Sequence, residues 1–142
     1  MKGLRTVEEA QARILALASP LEPENIPFPE AFGRFLSEDI AAIRDQPSAA
    51  LSAMDGYAIR FDDLPGPWTI AGEVPAGAAA PRALGAGEAM RIFTGALLPA
   101  GADTVVLQEE VTSKGASLKL TGEGPGTRGR HVRERGGDFA AG

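Results

Sequence analysis

Apolar residues recur three and four apart at Val7, Ala10, Ile14 and Leu17, the spacing of one helical stripe. Thr6-Val7-Glu8-Glu9 has the form of a capping box, in which the hydroxyl covers a free first-turn amide and Glu9 reaches back. A helix is predicted to begin there and to end at Ser19-Pro20. From Leu21 to Pro29 prolines stand at 23, 27 and 29, so that stretch reads as extended and turning. A helical turn near Glu30–Gly33 and a strand near Arg34–Ala42 are expected to follow.

After Gln46-Pro47 the period changes. Short apolar runs at Tyr57–Phe61, Trp68–Val74, Ala89–Phe93, Thr104–Val111 and Ser117–Leu120 read as strands. Leu64-Pro65-Gly66-Pro67, Gly77–Pro81, Pro99-Ala100-Gly101 and Lys114-Gly115 supply turn residues between them. The expected fold is mostly β: residues 48–123 form a curved sheet or barrel, inserted into a small discontinuous α+β domain made of residues 1–47 plus 124–142. Gly122–Gly129 reads as a linker, and the tail from Arg130 to Gly142 needs a surface to lie on.

Composition narrows the function classes. The 142 residues include 18 Gly and 11 Pro, which favours turns over long helices, and no Cys, which excludes disulfides, thiolate metal sites and a Cys nucleophile. With 14 Lys+Arg against 19 Asp+Glu the net charge is −5, contrary to general nucleic-acid binding. The amino-terminal residues are charged and polar, and no 18 consecutive apolar residues occur, so neither a leader nor a membrane span is read and a cytoplasmic protein is expected. A single histidine, His131, leaves no His-based metal site within one chain, so any bound metal would be a hard cation on carboxylates and water, pointing to magnesium.

Three clusters could carry chemistry. Ser52-Ala53-Met54-Asp55-Gly56-Tyr57-Ala58 contains an Asp-Gly pair that is either a tight hairpin turn, with Gly56 left-handed, or a site. Arg91-Ile92-Phe93-Thr94-Gly95-Ala96 ends a strand in Thr-Gly, where a hydroxyl and an open amide could meet a ligand, or where Thr94 could bond its own turn. Arg128, Arg130, His131, Arg133 and Arg135 precede Gly136-Gly137-Asp138; they suit either an oxyanion or ion pairs with the chain's own carboxylates.

Taken in order, Ser52–Ala58, Gly87–Ile92, Thr94–Val106 and Arg133–Asp138 resemble the amino-terminal region of the MoeA-type molybdopterin molybdenumtransferases, which is related to the gephyrin E domain. The resemblance implies that an adenylylated molybdopterin receives molybdate at its dithiolene and releases AMP with magnesium assistance. It places Asp55, Thr94 and Asp138 in the active cleft, and Ser52, Gly56, Gly95, Arg133 and Arg135 at substrate-binding positions. It further implies a homodimer, possible contact with other molybdenum cofactor synthesis proteins, and one wall of a cleft completed by further domains. Ser48-Ala49-Ala50-Leu51 departs from the family, which has an aromatic and an Asp there. The alternative function is a stand-alone, non-catalytic binding or dimerisation module of the same pathway.

Overall fold

The computed structural model describes residues 4–142 in two compact units, one ending at Ile40 and one running Ala41–Gly142. In the first, helix α1 spans Val7–Leu15 with Thr6 as its cap. The Glu9 amide donates to Thr6 Oγ1 (3.2 Å) and the Thr6 amide to Glu9 Oε2 (3.3 Å), so the expected capping box is present. Glu8 and Glu9 in the first turn and Arg13 in the last complement the helix dipole. The helix stops short of Leu17: the Leu17 and Ala18 amides reach only three residues back, tightening the end ahead of Pro20. A 3-10 turn at Phe28–Glu30 comes two residues before the expected one, with Pro29 in its first turn, where a missing N–H costs nothing. The strand expected near Arg34–Ala42 does not form, because no strand offers those residues a ladder partner. No described side chain of this unit is buried; Phe28, Phe32 and Phe35 are each more than 90% exposed (92%, 99% and 100%).

The second unit carries eight strands: β1 (Leu51–Ser52), β2 (Gly56–Ile59), β3 (Trp68–Val74), β4 (Glu88–Ile92), β5 (Thr104–Leu107), β6 (Val111–Lys114), β7 (Ser117–Leu120) and β8 (Val132–Arg133). Six form one sheet in the order β5-β2-β4-β3-β7-β6, and β1 pairs with β8 apart from it. Within the sheet only β3 and β4 are parallel, with a register shift between Ile70 and Glu73; the other pairs are antiparallel. All five expected runs become strands, β3 and β7 with the expected bounds. The Thr104–Val111 run divides, since Gln108–Glu110 break its alternation and wind into a 3-10 turn between β5 and β6. Phe61 likewise leaves β2 for a 3-10 turn, its amide held by Asp103 Oδ1 at 2.8 Å.

Consecutive residues feed two cores. Ala58, Met90 and Val105 join Val74, Leu84, Ile92 and Ala96 in one buried cluster; Ile59, Ala89 and Val106 join Trp68 and Leu118 in the other. A sheet covered on both faces reads as continuous apolar runs, which is why the strand signals were runs and not alternations.

Residues 122–129, read as a linker, are fastened to the sheet. The Gly122 amide donates to the Glu110 carbonyl (3.0 Å) and the Gly129 amide to Thr104 Oγ1 (3.2 Å), Arg128 pairs with both Asp62 and Asp103, and Pro125 is buried. The tail lies along residues 42–47: Gln46 bridges Phe139, the Gly136 amide donates to the Pro47 carbonyl (2.9 Å), and Gly142 to that of Ala42 (2.9 Å). No helix among the described residues is long and apolar enough to cross a membrane.

Gly56 is not left-handed, so of the two readings of Asp-Gly the hairpin turn is not the one found, and another constraint acts on the glycine. It lies in β2 between β4 and β5, where a Cβ would stand 2.0 Å from the Val106 carbonyl oxygen. Gly56→Ala is therefore expected to destabilise the unit by about 1–3 kcal/mol through overpacking. Thermal denaturation checks this; an unchanged melting temperature would mean that β5 can shift to make room.

Candidate functional site

The site begins where the chain leaves one pairing for another. β1 pairs antiparallel with β8, Leu51 opposite Arg133 and Ser52 opposite Val132, whereas β2 belongs to the large sheet. Asp55 sits at the corner between them. Ser52 is fully buried and shapes that corner: its hydroxyl donates to the Met54 carbonyl (2.6 Å), a short side-chain turn. A second segment is zipped alongside, with the Ser52 amide donating to the Ala96 carbonyl and the Gly95 amide to the Ser52 carbonyl, both at 2.9 Å. Gly95 reverses the chain at φ +81°, a conformation that favours glycine.

Between these segments Asp55 Oδ1 accepts two hydrogen bonds from Thr94, one from its amide and one from its hydroxyl, both at 2.8 Å. The Thr94 amide, followed by its hydroxyl, holds the Asp55 carboxyl below the usual carboxylate range, and the Arg91 charge adds to the effect. The amide expected to be open is thus engaged, and among the described residues the second oxygen of Asp55 has no hydrogen-bond partner. Beside them, Arg91 donates to the Gly56 carbonyl (2.9 Å) and to Gln108 Oε1, and lies over the rings of Phe93 and Tyr57 at 4.7 and 5.4 Å. Gln108 donates in turn to Glu109 Oε1 (2.9 Å) and is the main cause of the lowered Glu109 carboxyl, against which the Asp55 charge works.

The structure therefore joins Ser52, Asp55, Gly56, Thr94 and Gly95 in one cluster, but not in equal roles. Ser52 and Gly56, expected at substrate-binding positions, are buried framework, whereas Thr94 and Gly95 are exposed. Arg133 reaches the cluster through the β1–β8 pairing, and its guanidinium takes both oxygens of Asp138 at 2.9 and 3.1 Å. Arg135 is directed to Asp45, whose carboxyl the Ala141 amide and then Arg135 hold low. No hydrogen bond among the described residues links Asp138 or Arg135 to Asp55 or Thr94. Of the two readings of the arginine cluster, ion pairing is the one found for Arg128, Arg133 and Arg135. His131 adopts a left-handed φ of 61°; burial, followed by the Arg130 charge, lowers its pKa while Glu110 opposes.

Sequence reasoning placed Arg91 at the head of the second cluster without a role and missed Gln108 and Glu109 as members of the site. The available signal was Arg91 two residues before Phe93 on one strand, hence on the same face; its register partner Tyr57 emerged only with the pairing. Among the described residues no three His, Cys, Asp or Glu side chains gather as a ligand set.

The family model of the MoeA N-terminal region (domain I and II) matches residues 5–142. The chain belongs to this family. It is 39% identical over 110 residues to a molybdopterin molybdenumtransferase of Haemophilus influenzae, covering 75% of this chain and 27% of the relative. It is 34% identical over 146 aligned positions to molybdopterin molybdenumtransferase 2 of Mycobacterium tuberculosis, covering 98% and 36%. The crystal structure of the MoeA protein from Pyrococcus horikoshii OT3 superposes with a TM-score of 0.78 at 33% identity, over 95% of this chain and 37% of that one. The chain thus spans about a third of the length of these relatives, and the mostly β architecture is that of the MoeA N-terminal region.

Because the folded Asp55 carboxyl titrates below its unfolded value, its bonds to Thr94 stabilise the fold fully above the ordinary carboxylate pKa and lose that contribution as pH falls through the folded value. Thr94→Ala removes the hydroxyl donor and keeps the amide. The Asp55 titration midpoint, followed by carboxyl-carbon NMR, is expected to rise without reaching the ordinary range, and the stability gap to wild type to shrink in acid.

Proposed function

We propose that this region forms one wall of the active cleft of a molybdopterin molybdenumtransferase, in which molybdate is inserted at the dithiolene of an adenylylated molybdopterin and AMP is released. The observation that supports this best is the Asp55–Thr94 pair: an ionised carboxylate fixed by two bonds to one oxygen, its other oxygen without a hydrogen-bond partner among the described residues, in a chain whose relatives carry that enzyme name. Asp55 and Thr94 offer only hard oxygen contacts, and the carboxylate to which the Thr94 hydroxyl donates is held low in pKa and is a weak base for activating it. Their task is to position. Asp138, held by Arg133 on the strand that pairs with β1, is the third member of that wall; Arg133 and Arg135, paired with Asp138 and Asp45, would border an anionic substrate as ion pairs.

The donor set is compatible with magnesium, which keeps most of its waters and takes one or two carboxylates. Asp55 would hold it, with Thr94 Oγ1 and Glu109 at the border, and the ion would supply positive charge between the carboxylate and an oxyanion. A homodimer is part of the proposal, and so is contact with other cofactor-synthesis proteins. Support for the dimer comes from the first unit, whose apolar residues Ile14, Leu17, Phe28, Phe32 and Phe35 are all exposed in a single chain. The same observation supports the second reading, a non-catalytic dimerisation module.

The functional test is Asp55→Asn in a chimera in which residues 5–142 replace the matching region of the Haemophilus influenzae relative. Asn keeps an acceptor oxygen for both Thr94 donors, so folding should be retained while molybdate insertion falls on the order of a hundredfold or more, the loss of one pre-organised electrostatic contact. Full activity would remove Asp55 from the cleft, whereas a folded chimera that is inactive with Asp55 intact would favour the module reading. The 142-residue chain alone is expected to be inactive, since one wall cannot hold the pterin in reacting geometry.

Self-association is checked by light scattering of the chain at concentrations on the order of ten micromolar, where a dimer of micromolar affinity is well populated. A dimeric mass is expected; a monomeric one would count against the exposed first unit as the interface.

A further inference from the structure

We infer that Arg91 is the positioning residue of the Asp55 site, a fixed cation that clamps the Asp55–Gly56 corner and sets the orientation in which Asp55 meets Thr94. The inference rests on the Asp55 reading above and goes beyond it by naming what holds Asp55 in place.

Three observations converge. First, Arg91 grips the corner at two points. Its Nη1 donates to the carbonyl of Gly56 (2.9 Å) and its Nη2 to Gln108 Oε1, while the Gln108 amide donates to the carbonyl of Asp55 itself (3.3 Å). Both carbonyls flanking the Asp55–Gly56 step are thereby tied to one guanidinium, directly and through one intermediary. Second, the guanidinium is held over the Phe93 and Tyr57 rings, and Tyr57 is its register partner across β2–β4. A planar fork against aromatic rings is restricted in a way that a lysine ammonium is not. Third, its charge is not spent on an ion pair. Arg34, Arg60, Arg82, Arg128, Arg133 and Arg135 each have a carboxylate within salt-bridge reach, whereas among the described residues Arg91 has only neutral acceptors. The charged groups beside it are Asp55 on the β1–β2 corner, Glu109 in the turn after β5, and Glu73, its register partner on β3, which makes no ion pair with it. Arg91's hydrogen bonds go to the Gly56 carbonyl and Gln108, so its effect on chemistry is exerted through the placement of Asp55.

The test separates the clamp from the charge and uses the 142-residue chain without any activity assay. Arg91→Met keeps an apolar stem against the two rings but removes both fork bonds and the charge. Thr94 amide hydrogen exchange should quicken about tenfold or more as the corner loosens, and the Asp55 carboxyl midpoint should rise. Arg91→Lys keeps a cation but cannot reach both acceptors, so Thr94 exchange should again quicken while the Asp55 midpoint stays low. Wild-type exchange in both variants would overturn the clamp. If Arg91→Met does not fold, Arg91→Lys with wild-type exchange overturns it alone. In the chimera, Arg91→Lys should lower kcat with little change in KM if Asp55 serves the reaction. Should Asp55→Asn prove fully active while the exchange results hold, the positioning stands and the function falls.

Discussion

One carboxylate oxygen receiving two hydrogen bonds from a single threonine fixes the relation between the segments 52–55 and 93–96, and the surface of the site follows from it. Without that oxygen the Thr94 amide would lose its partner in the protein, and the segments would be joined only by the Ser52–Gly95, Ser52–Ala96 and Leu98–Ala50 backbone bonds, which lie on one side of the corner from Asp55 in sequence. Because the acceptor is charged, each bond is stronger than a neutral one. The geometry also partitions the carboxylate: one oxygen is taken by Thr94 and the other has no hydrogen-bond partner among the described residues. Structure and chemistry share a residue without competing for the same atom.

What could be read from the sequence depended on whether a signal was local. The Thr6 capping box and the runs that became β3 and β7 carry their own instructions, in a hydroxyl three residues from a glutamate and in β-formers bounded by turn residues. β1 and β8 carry none: two residues each, they exist because they meet one another across eighty residues of chain. The failed strand near Arg34–Ala42 is the converse case, an apolar pattern without a partner. The arginine cluster was ambiguous for the same reason, since Arg128 and Arg135 pair with Asp62 and Asp45, far away in sequence. At the site, Asp55 and Thr94 were visible as motifs, whereas Arg91 becomes meaningful only once Tyr57 is known to lie opposite and Gln108 beside it.

The charges of the second unit are arranged as fasteners around the sheet. Arg128 ties residues 122–129 to Asp62 and Asp103, Arg135 ties the tail to Asp45, and Arg82 ties the loop before β4 to Glu88, whose carboxyl it holds down at about 2 with help from the Gly85 amide. All are at least partly solvated, so each contributes modestly. Their common effect is to join segments that carry few apolar residues to a core that the strands supply.

The doubly covered sheet has a consequence for how β2 finds its neighbours. Ala58 and Ile59 enter opposite cores, as do Ala89 and Met90, and Val105 and Val106. In a one-sided sheet, sliding a strand by one residue would bring polar groups inward and be rejected by water. Here such a slide exchanges one apolar residue for another, so the hydrophobic effect scarcely discriminates between alignments. Discrimination falls to shape, and Gly56 provides it: its bare backbone lies where the Val106 carbonyl leaves no space for a side chain, and a slipped β2 would present Tyr57 or Asp55 to that oxygen. The smallest residue of the strand thus acts as the index mark by which β2 and β5 are aligned, and an atom that is missing carries the positional information.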